Sequence, residues 1–266
     1  MKRFIPFVKS EPTVAVIRLQ GQIANSNRGL DDPSLGPVIE RAFSRGKPAA
    51  VALEINSPGG SPVQSSLIAA RIRRLAEEKE IPVYAFVEDV AASGGYWLAC
   101  AADEIFVDRG SIVGSIGVIS AGFGAHDLIE RYGVERRVHT AGKSKSLLDP
   151  FQPLQPEQKA FWQSVLATTH QQFIDQVKQG RGDRLKDDPR IFSGLVWAGE
   201  QAVELGLIDG LASSSSLARE KFDLEKLIDY SRRSSPIEQL AERFGLGVAS
   251  AVIDQLGLSV TSPIQW

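Results

Sequence analysis

The segment Ala49-Ala50-Val51-Ala52-Leu53-Glu54-Ile55-Asn56-Ser57-Pro58-Gly59-Gly60 joins a nearly continuous apolar run to a turn that contains two glycines. Such a run is typical of a strand that is buried on both faces, as in a parallel sheet. The residues that follow have helical periodicity, and one face carries Ile68, Ile72, Leu75 and Ala76. A strand, a tight turn and a helix in this order predict a βαβ unit with a right-handed crossover.

Similar strand-like runs occur on both sides of this unit. We predict strands over Val14–Leu19, Pro82–Val87, Glu104–Val107, Gly117–Ile119 and Glu135–His139. Helical segments separate most of them, so the strands should pair in parallel and be covered by helices on both faces. The sequence therefore predicts an α/β fold of stacked βαβ units. Sites in such folds lie where the carboxyl ends of strands meet the N-termini of helices.

The second half of the chain is mainly helical. Residues from Pro156 to Gly180 have the pattern of one long helix, and Ser235-Pro236-Ile237-Glu238 has the pattern of a capping box. We expect an α/β domain over residues 1–211, followed by a loop and a C-terminal helical arm over residues 212–266. The charges of the arm balance, whereas helices on membrane surfaces favour Lys and Arg, so we expect the arm to dock on protein.

Composition excludes several classes of partner. The chain has 266 residues, with 30 Lys and Arg against 32 Asp and Glu, so its formal net charge is −2. Nucleic-acid binding is not expected, because phosphate binders usually carry a surplus of positive charge. Cys100 is the one cysteine, and the three histidines lie far apart without the spacing of metal ligands. We expect neither an intramolecular disulfide nor a metal site.

The sequence also lacks an apolar run of the length that crosses a membrane. Its first residues resemble the start of a secretory signal, but the apolar run ends at Lys9, which is too early for a cleavable signal peptide. We therefore expect a cytoplasmic protein, or one that contacts a membrane peripherally.

Two glycine-rich turns follow predicted strands and are candidates for chemistry. The turn Ser57-Pro58-Gly59-Gly60 could aim free N–H groups at an oxyanion, cradle a phosphate, or serve only as a tight turn. It lacks the G-x-x-x-x-G-K-[ST] pattern of a phosphate loop. In Ala92-Ser93-Gly94-Gly95 a serine starts a predicted helix, either as a nucleophile or as a simple N-cap. The G-x-S-x-G pattern of α/β-hydrolases is absent, because residue 91 is alanine.

A serine nucleophile needs a base. Nothing in the sequence pairs any of the three histidines with Ser93, and lysine is the other base that serine enzymes use. Lys143 and Lys145 are candidates in the segment Gly142–Ser146. A lysine base must be uncharged near neutral pH, which requires burial among apolar groups or a neighbouring cation. Apolar side chains at positions 147, 148 and 151 follow closely and could bury the amine.

Four short blocks, in this order along the chain, resemble the signal peptide peptidase A family of serine proteases, the protease IV and SohB-like group. The blocks are Asn56–Gly60, Ala92–Tyr96, Gly114–Val118 and Gly142–Ser146. The similarity extends from about Val14 to Gly210. Each block alone is a weak signal, whereas the four blocks in this order are specific for the family.

The resemblance implies a Ser–Lys dyad in which Ser93 is the nucleophile and Lys145 is the general base. It also implies that the hydroxyl of Ser115 orients the lysine amine. The N–H groups of Gly60 and Gly94 would hold the oxyanion of the reaction.

Three details qualify this assignment. Gly59 would replace Gly60 if the alignment shifts by one residue. Lys143 is the weaker candidate for the base, because the family's lysine directly precedes the position of Ser146. Val113 departs from the pattern, since many members have threonine there.

The same resemblance implies a crotonase or Clp-protease type of fold, and hydrolysis of peptide bonds without a metal or cofactor. It implies extended apolar peptides as substrates, such as released signal peptides, and a ring-like homo-oligomer to which the C-terminal helices contribute. Three alternatives remain open. A Clp-type Ser-His-Asp protease needs a histidine where this chain has Val118. A crotonase-type acyl-CoA enzyme would use the same turns to bind the oxyanion of a thioester. The third alternative is a non-enzymatic scaffold of the same fold, with an inactive site.

Overall fold

The computed structural model describes residues 13–26, 29–214, 216–217 and 226–231. Its centre is an eight-stranded sheet, in which the apolar run at 49–55 lies on an inner strand. In chain order the strands are β1 (Val14–Gln20), β2 (Ala50–Ser57), β3 (Val83–Ala92), β4 (Glu104–Val107), β5 (Ile112–Gly114), β6 (Val196–Ala198), β7 (Gly210–Leu211) and β8 (Leu227–Asp229). Neighbouring strands follow the order β6-β5-β3-β2-β1-β8, and β4 pairs with β3 and β7.

The strands pair in parallel except for β5 and β6, which are antiparallel. Val14 of β1 lies opposite Ala50 of β2, and Val51 of β2 lies opposite Val83 of β3. This pairing confirms the parallel α/β sheet that the sequence predicts. Because the strands run the same way, the carboxyl ends of β2, β3 and β5 meet at one edge of the sheet.

Six α-helices accompany the sheet in the described part of the chain: α1 (Asp32–Ser44), α2 (Pro62–Lys79), α3 (Gly94–Ala99), α4 (His126–Arg131), α5 (Pro156–Arg181) and α6 (Gly199–Glu204). The ends of α2 follow from local chemistry. The Ser61 hydroxyl accepts from the N–H of Gln64 at 3.4 Å, and Pro62 takes the first position, where no N–H is required. The helix ends at Glu80, whose φ of 52° is left-handed.

Side chains on both faces of the sheet are buried. On β1, Ala15, Ile17 and Leu19 belong to the larger apolar cluster, with side chains of the helices. Val14 and Val16 belong to a second cluster, and alternation along a strand places them on the opposite face. Burial on both faces explains why β1 and β2 are apolar almost throughout.

Two predicted strands are not strands in the structure. Residues 117–119 follow a turn in which the N–H of Gly117 donates to the carbonyl of Ser115 at 2.9 Å, so the chain leaves the sheet after β5. Residues 135–139 are almost entirely exposed, and Arg136 pairs with Asp149 at 3.0 Å. A segment without a buried face has nothing to place against a sheet, so residues 135–139, in which Val138 is the one aliphatic side chain, do not form a strand.

The C-terminal arm expected over residues 212–266 lies largely outside the described residues. The part of this segment that is described includes β8, which pairs with β1 over Leu227–Asp229. The domain boundary expected after residue 211 stays a prediction. Within the described ranges, no helix is both long enough and apolar enough to cross a membrane.

A buried charge network joins the end of α5 to the sheet. The Arg181 side chain has no exposed surface and donates to the two carboxylate oxygens of Asp209, at 2.7 and 3.0 Å. Asp209 also accepts from the N–H of Ile105 on β4 at 2.7 Å. Burial opposes ionisation of Asp209, but the hydrogen bonds from Arg181 and Ile105 outweigh it and lower the pKa of this carboxyl.

Replacing Asp209 with alanine should destabilise the protein by about 3–5 kcal/mol, because the Arg181 guanidinium would stay buried without a counter-charge. Urea unfolding at pH 7 measures this loss. Since the pKa of Asp209 is lowered by folding, the difference from wild type should shrink as the pH falls through that lowered value. Glu78→Ala, which breaks the half-exposed Arg74–Glu78 pair, should cost less than about 1 kcal/mol. Equal losses in the two variants would contradict the role of Asp209.

Cys100 follows α3 and lies directly against α5. A Cβ atom at Gly180 of α5 would collide with the carbonyl oxygen of Cys100, so the two backbones touch. The Cys100 side chain is buried, and burial raises the pKa of its thiol to about 12.

The native protein should therefore fail to react with a thiol reagent at pH 8. The buried Cys100 side chain is not accessible to the reagent, and its thiol is not ionised at that pH. Mass spectrometry after labelling measures the modified fraction, and labelling in denaturant provides the positive control. Rapid modification of the native protein would show instead that α3 and α5 separate in solution.

Candidate active site

Ser93 occupies a strained turn between β3 and α3. Its φ and ψ are 51° and −122°, a region that residues other than glycine rarely adopt. Its N–H donates to the carbonyl of Gly114 at 2.8 Å, and its own carbonyl accepts from the N–H groups of Tyr96 and Trp97. The chain thus makes the sharp strand-to-helix turn that presents a nucleophile in α/β-hydrolases, although the G-x-S-x-G pattern is absent.

The turn after β2 packs directly on the Ser93 turn. A Cβ atom at Gly59, whose φ is 98°, would lie 2.7 Å from the nitrogen of Gly94 and 2.8 Å from the Cβ of Ser93. Only glycine allows this approach of the two chains. The two glycine-rich turns that the sequence places after different strands therefore form one site.

Two backbone amides at this contact have no acceptor. Among the described residues, no hydrogen bond engages the N–H of Gly60 or that of Gly94. The N–H of Gly59, by contrast, donates to the Ser57 hydroxyl at 3.2 Å. A Cβ built on Gly94 would lie 3.3 Å from the nitrogen of Gly60, so the two free amides are close neighbours. Paired free N–H groups of this kind can stabilise an oxyanion.

Ser115 stands beside Ser93 on the neighbouring strand end. Ala92 of β3 lies opposite Gly114 of β5, and each serine is the next residue of its chain. Ser115 also has a positive φ of 52°, and its N–H donates to the carbonyl of Leu195 at 2.7 Å. In the described part of the chain, no hydrogen bond engages the hydroxyl of either serine.

A cavity of about 650 Å³ opens beside the two serines, within the range that ligand sites usually occupy. Ser93, Gly60, Gly94 and Ser115 all line it. The remaining wall is mainly apolar. It includes Pro58, Pro62, Trp97, Val118, Ile119 and Phe173, with Gln22, Thr169 and Ser193 as polar members. The indole of Trp97 stacks on the ring of Phe173 on α5, with centroids 5.1 Å apart. This wall suits an apolar side chain rather than a charged one.

Lys145 does not line this cavity. It lies on an exposed turn, where its N–H donates to the carbonyl of Gly142 at 3.1 Å. Of the three apolar residues that could bury its amine, Leu148 and Phe151 are exposed, at 39% and 36%, and Leu147 is half-buried. The described chain therefore brings four of the five predicted site residues together and leaves the lysine apart. Lys143 is exposed as well.

The histidines lie outside the cavity wall too. His126, with Asp127 and Glu130, has ligand atoms within 4.8 Å of one another, a grouping that the sequence analysis does not foresee. These residues belong to the surface helix α4, and exposed acidic groups of this kind are common without an ion. His170 on α5 contacts the carbonyl of Ile116 at 3.1 Å, beside Ser115, and no motif in the sequence marks this contact.

Comparison with known proteins places the chain in a family. The family model described as Peptidase family S49 matches residues 75–227. A Brucella abortus protein named Na(+)/H(+) antiporter NhaA is 49% identical over 228 residues, which cover 84% of this chain and 31% of that protein. The chloroplastic serine protease SPPA of Arabidopsis thaliana is 31% identical over 256 residues, which cover 90% of this chain and 37% of that protein. The chain thus spans about a third of the length of these two relatives.

Among solved structures, one similar chain is a mutant of the 1510-N membrane-bound stomatin-specific protease in complex with a substrate peptide. The TM-score is 0.51 at 16% identity, covering 88% of this chain and 98% of that chain. This likeness concerns the fold, which is of the Clp-protease type that the sequence predicts. Since the family model covers more than half of the sequence, the chain belongs to peptidase family S49, a family of serine-type proteases.

Proposed function

We propose that this chain hydrolyses peptide bonds with Ser93 as the nucleophile and Lys145 as the general base. One observation carries the proposal. Ser93 lies on a strained turn beside two backbone amides without acceptors, in the wall of a largely apolar cavity. A free hydroxyl and paired free N–H groups in one place are what acyl transfer requires.

In the first step, the Ser93 Oγ attacks the carbonyl carbon of the scissile bond while the uncharged Lys145 amine removes the hydroxyl proton. The carbonyl oxygen becomes an oxyanion, which accepts hydrogen bonds from the amides of Gly60 and Gly94. Lys145 then gives the proton to the departing amine, and an acyl-enzyme ester remains. Water, deprotonated by Lys145, attacks this ester, releases the carboxyl product and restores Ser93.

In this proposal the Ser115 hydroxyl orients the lysine amine. It follows β5 as Ser93 follows β3, and both side chains line the same cavity. The apolar wall formed by Trp97, Val118 and Phe173 supports extended apolar peptides as substrates, such as released signal peptides.

Lys145 belongs to a segment, residues 119–155, in which no residue is buried. It must reach Ser93 through closure of this segment or through assembly with a second copy. A solvated amine is protonated at neutral pH, so the segment must be covered before the lysine can act as a base. Apolar side chains on the same segment are widely exposed, with Phe123 at 92% and Tyr132 at 75%. Exposed apolar groups in this number support a homo-oligomer that covers them. A contribution from the C-terminal helices stays a prediction, because they lie outside the described residues.

Ser93→Ala and Lys145→Ala should each lower peptidase activity by at least about a thousandfold, since a nucleophile and its base act as one unit. Turnover of a fluorogenic apolar peptide measures this, and circular dichroism checks the fold. A serine-directed fluorophosphonate should modify Ser93 in the wild type, as shown by peptide mapping, and should lose this reaction in Lys145→Ala.

Lys143→Ala is the matched control, because Lys143 lies on the same exposed turn two residues away. It should keep wild-type turnover. Loss of activity in Lys143→Ala together with full activity in Lys145→Ala would assign the base to the other lysine, and full activity in Ser93→Ala would exclude the mechanism.

The double variant Phe123→Asp/Tyr132→Asp should dissociate the oligomer and lower peptidase activity together, because charges in an apolar interface lose their hydration. Sedimentation velocity measures the mass, and peptide turnover is assayed on the same sample. Gln172→Asp, on an exposed position of α5, serves as the control and should change neither quantity. If the double variant were a fully active monomer, peptidase activity would not require assembly, and this part of the proposal would be wrong.

A crotonase-type acyl-CoA enzyme is the second candidate, because its oxyanion site would use the same paired amides. It would not need the Ser93 hydroxyl. Acyl-CoA turnover that persists in Ser93→Ala, with no peptidase activity in the wild type, would favour this alternative, and absence of both activities would favour an inactive scaffold.

A further inference from the structure

The turn that carries Ser115 needs support from its neighbours. A φ of 52° at a serine is costly and persists only when the surrounding structure enforces it. Three backbone hydrogen bonds contribute. The N–H of Ser93 donates to Gly114 at 2.8 Å, that of Ser115 to Leu195 at 2.7 Å, and that of Gly117 to Ser115 at 2.9 Å.

A fourth bond to this turn comes from a side chain. The Nε2 of His170 lies 3.1 Å from the carbonyl oxygen of Ile116, the residue between Ser115 and Gly117. A carbonyl can only accept, so Nε2 carries the proton and donates it. Across the ranges that the structure describes, no other side chain forms a hydrogen bond with residues 114–117. Ile116 itself is fully buried, so water cannot easily replace the imidazole.

His170 belongs to a firmly anchored helix. Three residues further along α5, Phe173 stacks on Trp97 of α3. At its end, α5 is held by the buried pair of Arg181 and Asp209. The imidazole therefore connects the Ser115 turn to an element whose own position is fixed from two sides.

We infer that His170 is a positioning residue, whose Nε2–H holds the Ile116 carbonyl and thereby fixes the Ser115 hydroxyl relative to Ser93. The inference rests on the proposed function, in which Ser115 orients the lysine amine. His170 acts through the turn and not on the substrate, because it does not line the cavity. The neutral tautomer with a proton on Nε2 and the imidazolium both donate, so protonation does not break the bond.

Two substitutions separate the hydrogen bond from the volume of the ring. His170→Phe keeps a ring but cannot donate, whereas His170→Gln can bring an amide N–H close to the place of Nε2. We expect His170→Phe to lower kcat by roughly tenfold to a hundredfold with little change in KM, because small displacements of a catalytic group have effects of this size. His170→Gln should recover most of kcat. Gln172→Phe, an exposed neighbour on α5, should match the wild type.

A double variant tests whether the effect passes through Ser115. In a Ser115→Ala background, His170→Phe should cause little further loss, because the hydroxyl that the turn positions is already gone. Fully additive losses would show that His170 does not act on Ser115. Should His170→Phe fold poorly, His170→Asn takes its place, since its amide is polar but too short to reach the carbonyl.

The outcomes separate this inference from the proposed function. If the wild type shows no peptidase activity, or if Ser93→Ala retains it, the proposed function fails. If the wild type is active and His170→Phe has wild-type kcat, or His170→Gln is no better than His170→Phe, the positioning role is overturned while the dyad survives.

Discussion

The site depends on one hydrogen bond, from the Ser93 amide to the carbonyl of Gly114 at 2.8 Å. It ties the end of β3 to the end of β5 just where each chain leaves the sheet. Together with the contact of Gly59, this bond holds Ser93 at a positive φ rather than in the extended conformation of an ordinary N-cap. The bond therefore converts the common role of a serine before a helix into the presentation of its hydroxyl.

The rest of the sheet makes that bond possible. The backbone pairing of β2 with β3 runs in parallel from Val51 and Val83 to Ser57 and Ala91, with one shift of register between Ile55 and Ser57. With register fixed, the glycine turns after these strands come into contact, and Gly59 leaves no room for any other residue there. The closeness of the Gly60 and Gly94 amides is a consequence of this contact.

Much of this arrangement can be predicted from the sequence, because apolar strands and glycine turns are local patterns with direct physical causes. The residues Ser93, Gly94 and Ser115 can be assigned through the family blocks that contain them. Local pattern fails where a segment has no buried face, which is why residues 135–139 form no strand. It also cannot choose between Gly59 and Gly60. That choice depends on the Ser57 hydroxyl, which engages one amide and leaves the other free.

Two residues illustrate what sequence cannot supply. Lys145 lies on an exposed turn apart from the cavity, and a local motif does not encode where such a turn lies relative to Ser93. His170 is a single histidine on a long helix, and its contact with Ile116 joins residues that are far apart in sequence. No periodicity or motif marks such a contact.

The backbone contact between Gly180 and Cys100 has a consequence for how a peptide would bind. Because the main chain just after α3 touches that of α5, the two helices have little freedom to slide or tilt, and the fold itself sets the spacing of the Trp97 and Phe173 rings. If the chain binds peptides as proposed, the conformational entropy lost on association would fall mainly on the peptide rather than on the protein. Chains that are already extended and unfolded in solution, with side chains that match a preset width, would be selected over folded ones.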